Sequence, residues 1–452
     1  AVAGLLAAVV GLSVASGSSV ARVLFMLSAM LLAGWAKRRS PWLYLCATLW
    51  IWLSAAFVRR MIEWHPGFNP LDIVLITPNL TVMLIVPDLL NTRGLLTRRG
   101  VGYALVLFAC ALYGMLVSFV NGSIVGGAIA AADWLVPLLY LFLFICHADR
   151  IDEAEAHLTR FLTYSLLFVV PYALYQYFYM PDWDAQWLLA SGLSTFGHAL
   201  PMESHVFGPL NQPGFLAVWV GVCILWIVYF RSRLLLLAVP FLLLLLAATQ
   251  VRSVAGSVAL AIGVGALIGR GGFGRLAMIA VVAGISGYVG LSVLDSRVTD
   301  QIVARFGTVQ KLSDDNSAQT RQQIYAETPR LIDENPFGTG IGAQGRGNAE
   351  QSVEGGHKKD VNTVNVDSGP LSVFLALGWV AGPVYILTML LLQYRALLVG
   401  RRFKSPTAAA MATAALVPLG IFPFLNILGF NASVLWICLG YPLAVEIHAT
   451  NL

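Results

Sequence analysis

Apolar runs of membrane-crossing length follow one another along the whole chain, and only two long polar intervals interrupt them. A bilayer core takes about 20 apolar residues per helix. On that length the runs predict spans near residues 2–16, 19–36, 41–58, 71–90, 101–120, 124–146, 157–179, 212–230, 233–249, 253–270, 273–294, 367–394, 407–424 and 428–447. The expectation is an all-α polytopic membrane protein of about 12–14 transmembrane helices, with short helices in one large loop. Pro78 and Pro87 break the 71–90 run, because proline removes a helical hydrogen bond. Ala1 to Ala15 has no basic stretch and no clear cleavage site, so it reads as a span and not as a signal peptide.

The longer polar interval divides the chain into N-terminal membrane helices (1–294), a loop (295–366) and C-terminal membrane helices (367–452) of one integrated membrane domain. Arg321, Ile324, Tyr325, Thr328, Leu331 and Ile332 fall on one helical face,. Arg321 thus shares an apolar side, where it either snorkels to water or is met by an anion, since a buried charge needs a partner. The second interval, Pro181 to Pro213, is rich in aromatics, glycine and proline and carries His198, Glu203 and His205. It reads either as the wall of a site or as an interfacial aromatic belt.

Composition fixes the class. The chain is 58% hydrophobic and only 11% charged, with a mean hydropathy of +0.76, against about 25% charged residues in ordinary soluble domains. A net charge of +5 is no nucleic-acid signal, because the basic residues are scattered between spans. All five cysteines lie inside apolar runs without paired spacing, which implies neither a disulfide framework nor a metal site. The basic residues follow the even-numbered spans: Lys37 to Arg39, Arg93 to Arg99, Arg150 and Arg160, Arg231 and Arg233, Arg270 and Arg275, Arg395 to Lys404. By the positive-inside rule both termini are expected in the cytoplasm and the 295–366 loop on the other side. Arg59, Arg60 and Arg252 stand outside that pattern.

Four features could carry chemistry. Arg252, in Ala-Ala-Thr-Gln-Val-Arg-Ser-Val, has few polar neighbours at membrane depth and is a functional candidate on that ground; an interfacial snorkelling residue is the plain alternative. Gly340 and Gly342 open a GxGxxG string that lacks the strand and helix of a dinucleotide fold; it could offer N–H groups to a phosphate or be a simple turn. Asp367, at the head of the twelfth run, could cap that helix or serve as a general base. His357 is a second candidate base, among glycines and lysines. No metal-ligand cluster and no nucleotide-binding motif in a plausible setting occurs, so no cofactor and no metal is expected.

Four segments carry a resemblance to a family: Val206 to Val220 (VFGPLNQPGFLAVWV), Thr249 to Ser257 (TQVRSVAGS), the stretch from Ser317 to Gly345, and Asp367 to Gly382 (DSGPLSVFLALGWVAG). In order and spacing they resemble the O-antigen polymerase and O-antigen ligase superfamily, metal-independent glycosyltransferases of the bacterial inner membrane with a large periplasmic loop. Ligases typically carry histidine where this chain has Asp367, and an acidic residue there is similar to exopolysaccharide polymerases.

The resemblance implies a glycan donor on undecaprenyl pyrophosphate, a glycan acceptor, surrounding membrane lipid and a chain-length regulator as a candidate partner. It implies Arg252 and Arg321 as a pyrophosphate clamp, with Asn211, His205, Gly340 and Gly342 on the substrate and Asp367, or else His357, as the base. The expected activity is polymerisation of lipid-linked repeat units. The alternatives are a ligase that transfers polymer to a lipid A core and a non-catalytic polysaccharide or lipid transporter. A transporter would normally show charges inside central spans and paired half-repeats.

Overall fold

The computed structural model describes residue 11 and residues 19–64, 67–69, 72–92, 94–193, 196–229, 236–268, 325–326, 328–343, 368–403 and 405–451. The protein is all-helical, with one isolated bridge between Gly197 and Ser204 and no named strand among the described residues. Among the described residues seven helices are long and apolar enough to cross a bilayer, and a bent pair makes up to eight. Four shorter apolar helices of 10–17 residues lie among them. The chain is therefore a polytopic membrane protein. The expected spans near 2–16 and 273–294, and most of the 295–366 loop, lie outside the described residues.

Helix α1 (Ser19–Arg39) lies at the rim, with 28% of its apolar window buried, whereas α2 (Pro41–Glu63) and the last helix reach 78% and 89%. Helix α2 starts where the sequence says it should: Ser40 accepts from the Trp42 N–H, and Pro41 occupies the first turn, where a missing N–H is harmless. The broken 71–90 run becomes α3 (Thr77–Met83) and α4 (Val86–Asn91), with Pro78 and Pro87 in their first turns.

Helix α5 (Val101–Val120) fills one run. The 124–146 run is bent by 41° between α6 (Ile124–Trp134) and α7 (Leu139–Cys146), with Pro137 in the break. Helix α8 (Ala154–Tyr179) is followed by α9 (Asp182–Ser191), which lies within the aromatic interval. Then come α10 (Pro213–Tyr229), α11 (Val239–Ala248), α12 (Arg252–Ile268), α13 (Gly369–Arg402), α14 (Pro406–Ala414), α15 (Leu416–Ile421) and α16 (Gly429–Asn451).

Contacts sort the connections onto two ends of the bundle. At one end Lys37 pairs with Asp88 at 2.8 Å and Arg98 with Asp149 at 3.0 Å, while Arg395 grips Glu446 through two bonds of 2.8 and 3.1 Å. These basic residues follow three different even-numbered spans. At the other end the tip of α2, the 206–211 segment, the α11–α12 turn and the start of α13 are linked by the contacts described below.

Candidate functional site

Two arginines end α2 where the charge pattern has no place for them, and packing accounts for both. Arg60 is wholly buried, with its Nε 2.6 Å from Asp184 Oδ1. Its two remaining nitrogens donate to the carbonyls of Leu210 at 2.7 Å and Gly208 at 2.6 Å. Asp184 comes from α9 and is also wholly buried; its second oxygen accepts from the Tyr172 hydroxyl at 2.7 Å and from the Gln176 amide. Gln176 closes the circuit, because its Oε1 accepts from the N–H groups of Phe207 and Gly208 at 3.0 and 2.8 Å.

Every polar arm of this cluster is matched, the condition under which a buried ion pair is tolerated in a low-dielectric interior. The guanidinium also lies over the rings of Phe207 and Trp187, at 5.0 and 5.7 Å. Arg59 is paired separately, with Glu63 at 2.8 Å and with the Asn69 carbonyl.

The network grips the 206–211 segment from below. The segment's other end is tied to the α11–α12 turn, where the Val206 N–H donates to the Ala248 carbonyl at 3.1 Å. Five residues of extended chain span at most about 18 Å, so Arg60 and that turn belong to one site-sized region. Arg252 is the first residue of α12 and is exposed. Just before it, Gln250 holds a left-handed φ of 58°, which a side chain other than glycine adopts at a cost of about 1 kcal/mol or more. Asn211 ends the gripped segment, half-buried, and its Oδ1 has no partner among the described residues. His205 is half-buried one residue before Val206, and its N–H donates to the Phe196 carbonyl at 2.8 Å.

The remaining elements meet at the α15–α16 connection. The Gly369 N–H donates to the Phe422 carbonyl at 2.8 Å, and the Tyr325 hydroxyl donates to the Pro423 carbonyl at 3.1 Å. Helix α12 packs on α15 so closely that a Cβ on Gly420 would sit 2.3 Å from Ser257 Oγ. Arg321, His357 and Asp367 themselves lie outside the described residues.

Gly340 and Gly342 occupy a different place. Residues 338–342 are wedged between α5, α6 and a break in α13, where Gly378 has φ 69° and ψ −170°. Thr339 and Gly340 donate to the carbonyls of Leu375 and Ala376 at 2.8 and 3.0 Å, and Gly342 donates to Ser118 Oγ at 2.8 Å. A phosphate role for these two glycines needs their N–H groups, and both are already given to protein acceptors. Close approach is what demands glycine: a Cβ on Gly340 would lie 2.4 Å from Ser118 Oγ.

The sequence pattern missed Asp184, Tyr172 and Gln176. Arg60 had left a signal, a basic residue out of register with its neighbours. For the other three there was none.

Fold and site define a polytopic all-helical membrane protein with ion pairs at one end of the bundle and a buried polar network at the other. No protein-family model matches the chain, and no curated protein matches it. Among the described residues no group of three or more metal-ligating side chains occurs.

Proposed function

We propose that the protein is a membrane glycosyltransferase that polymerises oligosaccharide repeat units carried on undecaprenyl pyrophosphate, at the periplasmic face of the bacterial inner membrane. One observation carries this reading: at one end of the bundle the turn that starts the Arg252 helix is bonded to the gripped 206–211 segment, and that helix and the head of α13 both pack against α15 and the residues that follow it. These are three of the four segments that resemble the polymerase and ligase superfamily. The fourth is represented there by Tyr325, bonded to Pro423.

In the reaction an acceptor sugar hydroxyl attacks the anomeric carbon of the donor. The new glycosidic bond forms as the carbon–oxygen bond to the pyrophosphate breaks, and that electron pair leaves with the pyrophosphate. Arg252 and Arg321 meet the growing charge, a task suited to a planar, permanently charged fork. Asp367 takes the hydroxyl proton. Donors placed where charge develops are worth about 3–4 kcal/mol each.

The test is the glycan ladder of cells whose own copy is replaced by variants. Arg252→Ala, Arg321→Ala and Asp367→Asn are expected to leave single repeat units while the protein is still made in the membrane. Normal ladders in all three would reject the reading. A dead His357→Ala beside an active Asp367→Asn would move the base to His357. Accumulation of long polymer on the lipid carrier would instead make the protein a ligase.

A further inference from the structure

Beside the buried ion pairs a narrow cleft opens between α2 and α9, and neither the clamp nor the base uses it. Glu63, Trp64, Phe68, Trp183 and Trp187 line it, with Gln186 at its mouth. Two of the residues that line it each carry a buried, unsatisfied side-chain atom. Glu63 is nearly fully buried and spends only one carboxylate oxygen on Arg59 and the Asn69 N–H; Oε2 is buried with no partner among the described residues. Trp187, equally buried, has its indole Nε1 in the same condition. Leaving a buried carboxyl oxygen and an indole N–H both unmet is costly, so a small polar group is expected to meet them.

The chemistry of that visitor follows from the pair. Glu63 needs a donor and Trp187 an acceptor, beside an open cavity of about 10 Å³, room for one water or one hydroxyl. An ammonium group cannot accept from the indole, and Arg59 and Arg60 stand beside the cleft. A phosphate or carboxylate cannot donate to Glu63 and is repelled by it. A hydroxyl does both. The rim selects among hydroxyl compounds: Trp64 and Trp183 are half-buried and stand edge-to-face at 5.7 Å, aromatic surface on which an amphipathic ring can rest.

We infer that this cleft is a subsite for a neutral sugar, one hydroxyl of which enters between Glu63 and Trp187 while its ring lies on the Trp64–Trp183 rim. The inference rests on the glycan-transfer reading for the source of the sugar, and adds to it a place to hold a residue other than the one that reacts. Arg60 borders the cleft and also grips the segment that is bonded to the Arg252 turn, so the cleft and that turn share one segment.

The experiment uses the full chain, purified in a zwitterionic detergent without sugar headgroups. It is titrated with glucose, galactose, mannose, N-acetylglucosamine and maltotriose, and binding is followed on the sugar protons by ligand-observed NMR. At least one sugar is expected to bind saturably in the millimolar range. Trp183→Leu is expected to weaken it about tenfold or more with a melting temperature near wild type; Glu63→Gln, which also takes the carboxylate from buried Arg59, is expected to weaken it as much and to melt lower, and should it fail to fold, Trp183→Leu decides. Absence of saturable binding by all five sugars would overturn the inference, as would unchanged affinity in the folded variants or displacement of the sugar by tetramethylammonium. Ladders lost in Arg252→Ala with no sugar binding would reject this subsite alone. Sugar binding beside intact ladders in Arg252→Ala would keep the subsite and reject the clamp.

Discussion

Arg60 is the residue on which the polar end of the bundle turns. Its guanidinium satisfies a carboxylate and two backbone carbonyls at once, and no other side chain has the donor geometry for that. Arg60→Leu leaves Asp184 buried and uncompensated, a loss of about 3–5 kcal/mol for a broken buried pair. The expected result is a large fall in melting temperature in detergent. Arg60→Leu combined with Asp184→Leu is expected to recover much of it, because removing both charges removes the desolvation penalty. Arg60→Lys keeps the charge but loses the fork, and is expected to melt closer to Arg60→Leu than to wild type. A wild-type melt for Arg60→Leu would mean that the network contributes nothing to stability.

At the scale of elements, the break in α13 has a definite cause. Helical residues at 328–334 deliver the chain to 335–343, and this stretch inserts where α13 gives up its own hydrogen bonds: Trp379 donates to the Pro336 carbonyl at 2.9 Å, while Thr339 and Gly340 take the carbonyls of Leu375 and Ala376. Non-helical backbone at membrane depth is tolerated only where such partners exist. Gly378 must stay glycine on two counts, its φ of 69° with ψ of −170° and an oxygen of Pro336 at 2.3 Å from where a Cβ would be. Gly378→Ala is expected to destabilise by about 1–3 kcal/mol and to raise amide hydrogen exchange across 335–343 while leaving α2 protected. Exchange that rises evenly over the whole chain would show that the insert is no separate unit.

For the molecule as a whole, the two ends differ in kind. One gathers exposed and half-buried ion pairs from several short connections; the other gathers a buried network, the Arg252 turn and the head of α13. We propose that the first end faces the cytoplasm, on the basic residues that follow the even-numbered spans. All five native cysteines are buried, so single introduced cysteines can report on it. Leu189 and Leu96 are well exposed, at 74% each, near opposite ends. In spheroplasts a membrane-impermeant thiol reagent is expected to label Leu189→Cys and to spare Leu96→Cys until the membrane is opened. The reverse pattern would invert the orientation and put the polymerisation reading on the wrong side of the membrane.

The hydrophobic pattern alone determined that the chain is a helical membrane protein, and it located most helices within a few residues. Val101–Val120 matched throughout, and Pro78 and Pro87 fall in the first turns of α3 and α4, although 73–91 still counts as one span. Burial of backbone polar groups in lipid leaves few other structures possible, so a count of apolar residues carries the fold class without knowledge of partners. The bend between Trp134 and Leu139 and the extension of α2 to Glu63 were not legible, because they depend on what lies across the helix. The same holds for the site. Arg252 and His205 could be named from local composition and Asn211 from the resemblance, but the hold on the 206–211 segment comes from Arg60, Gln176 and Asp184, residues up to 150 positions away in the chain. Only tertiary structure could pair them, since a buried charge looks in sequence like any other charge at a helix end until its partner is found.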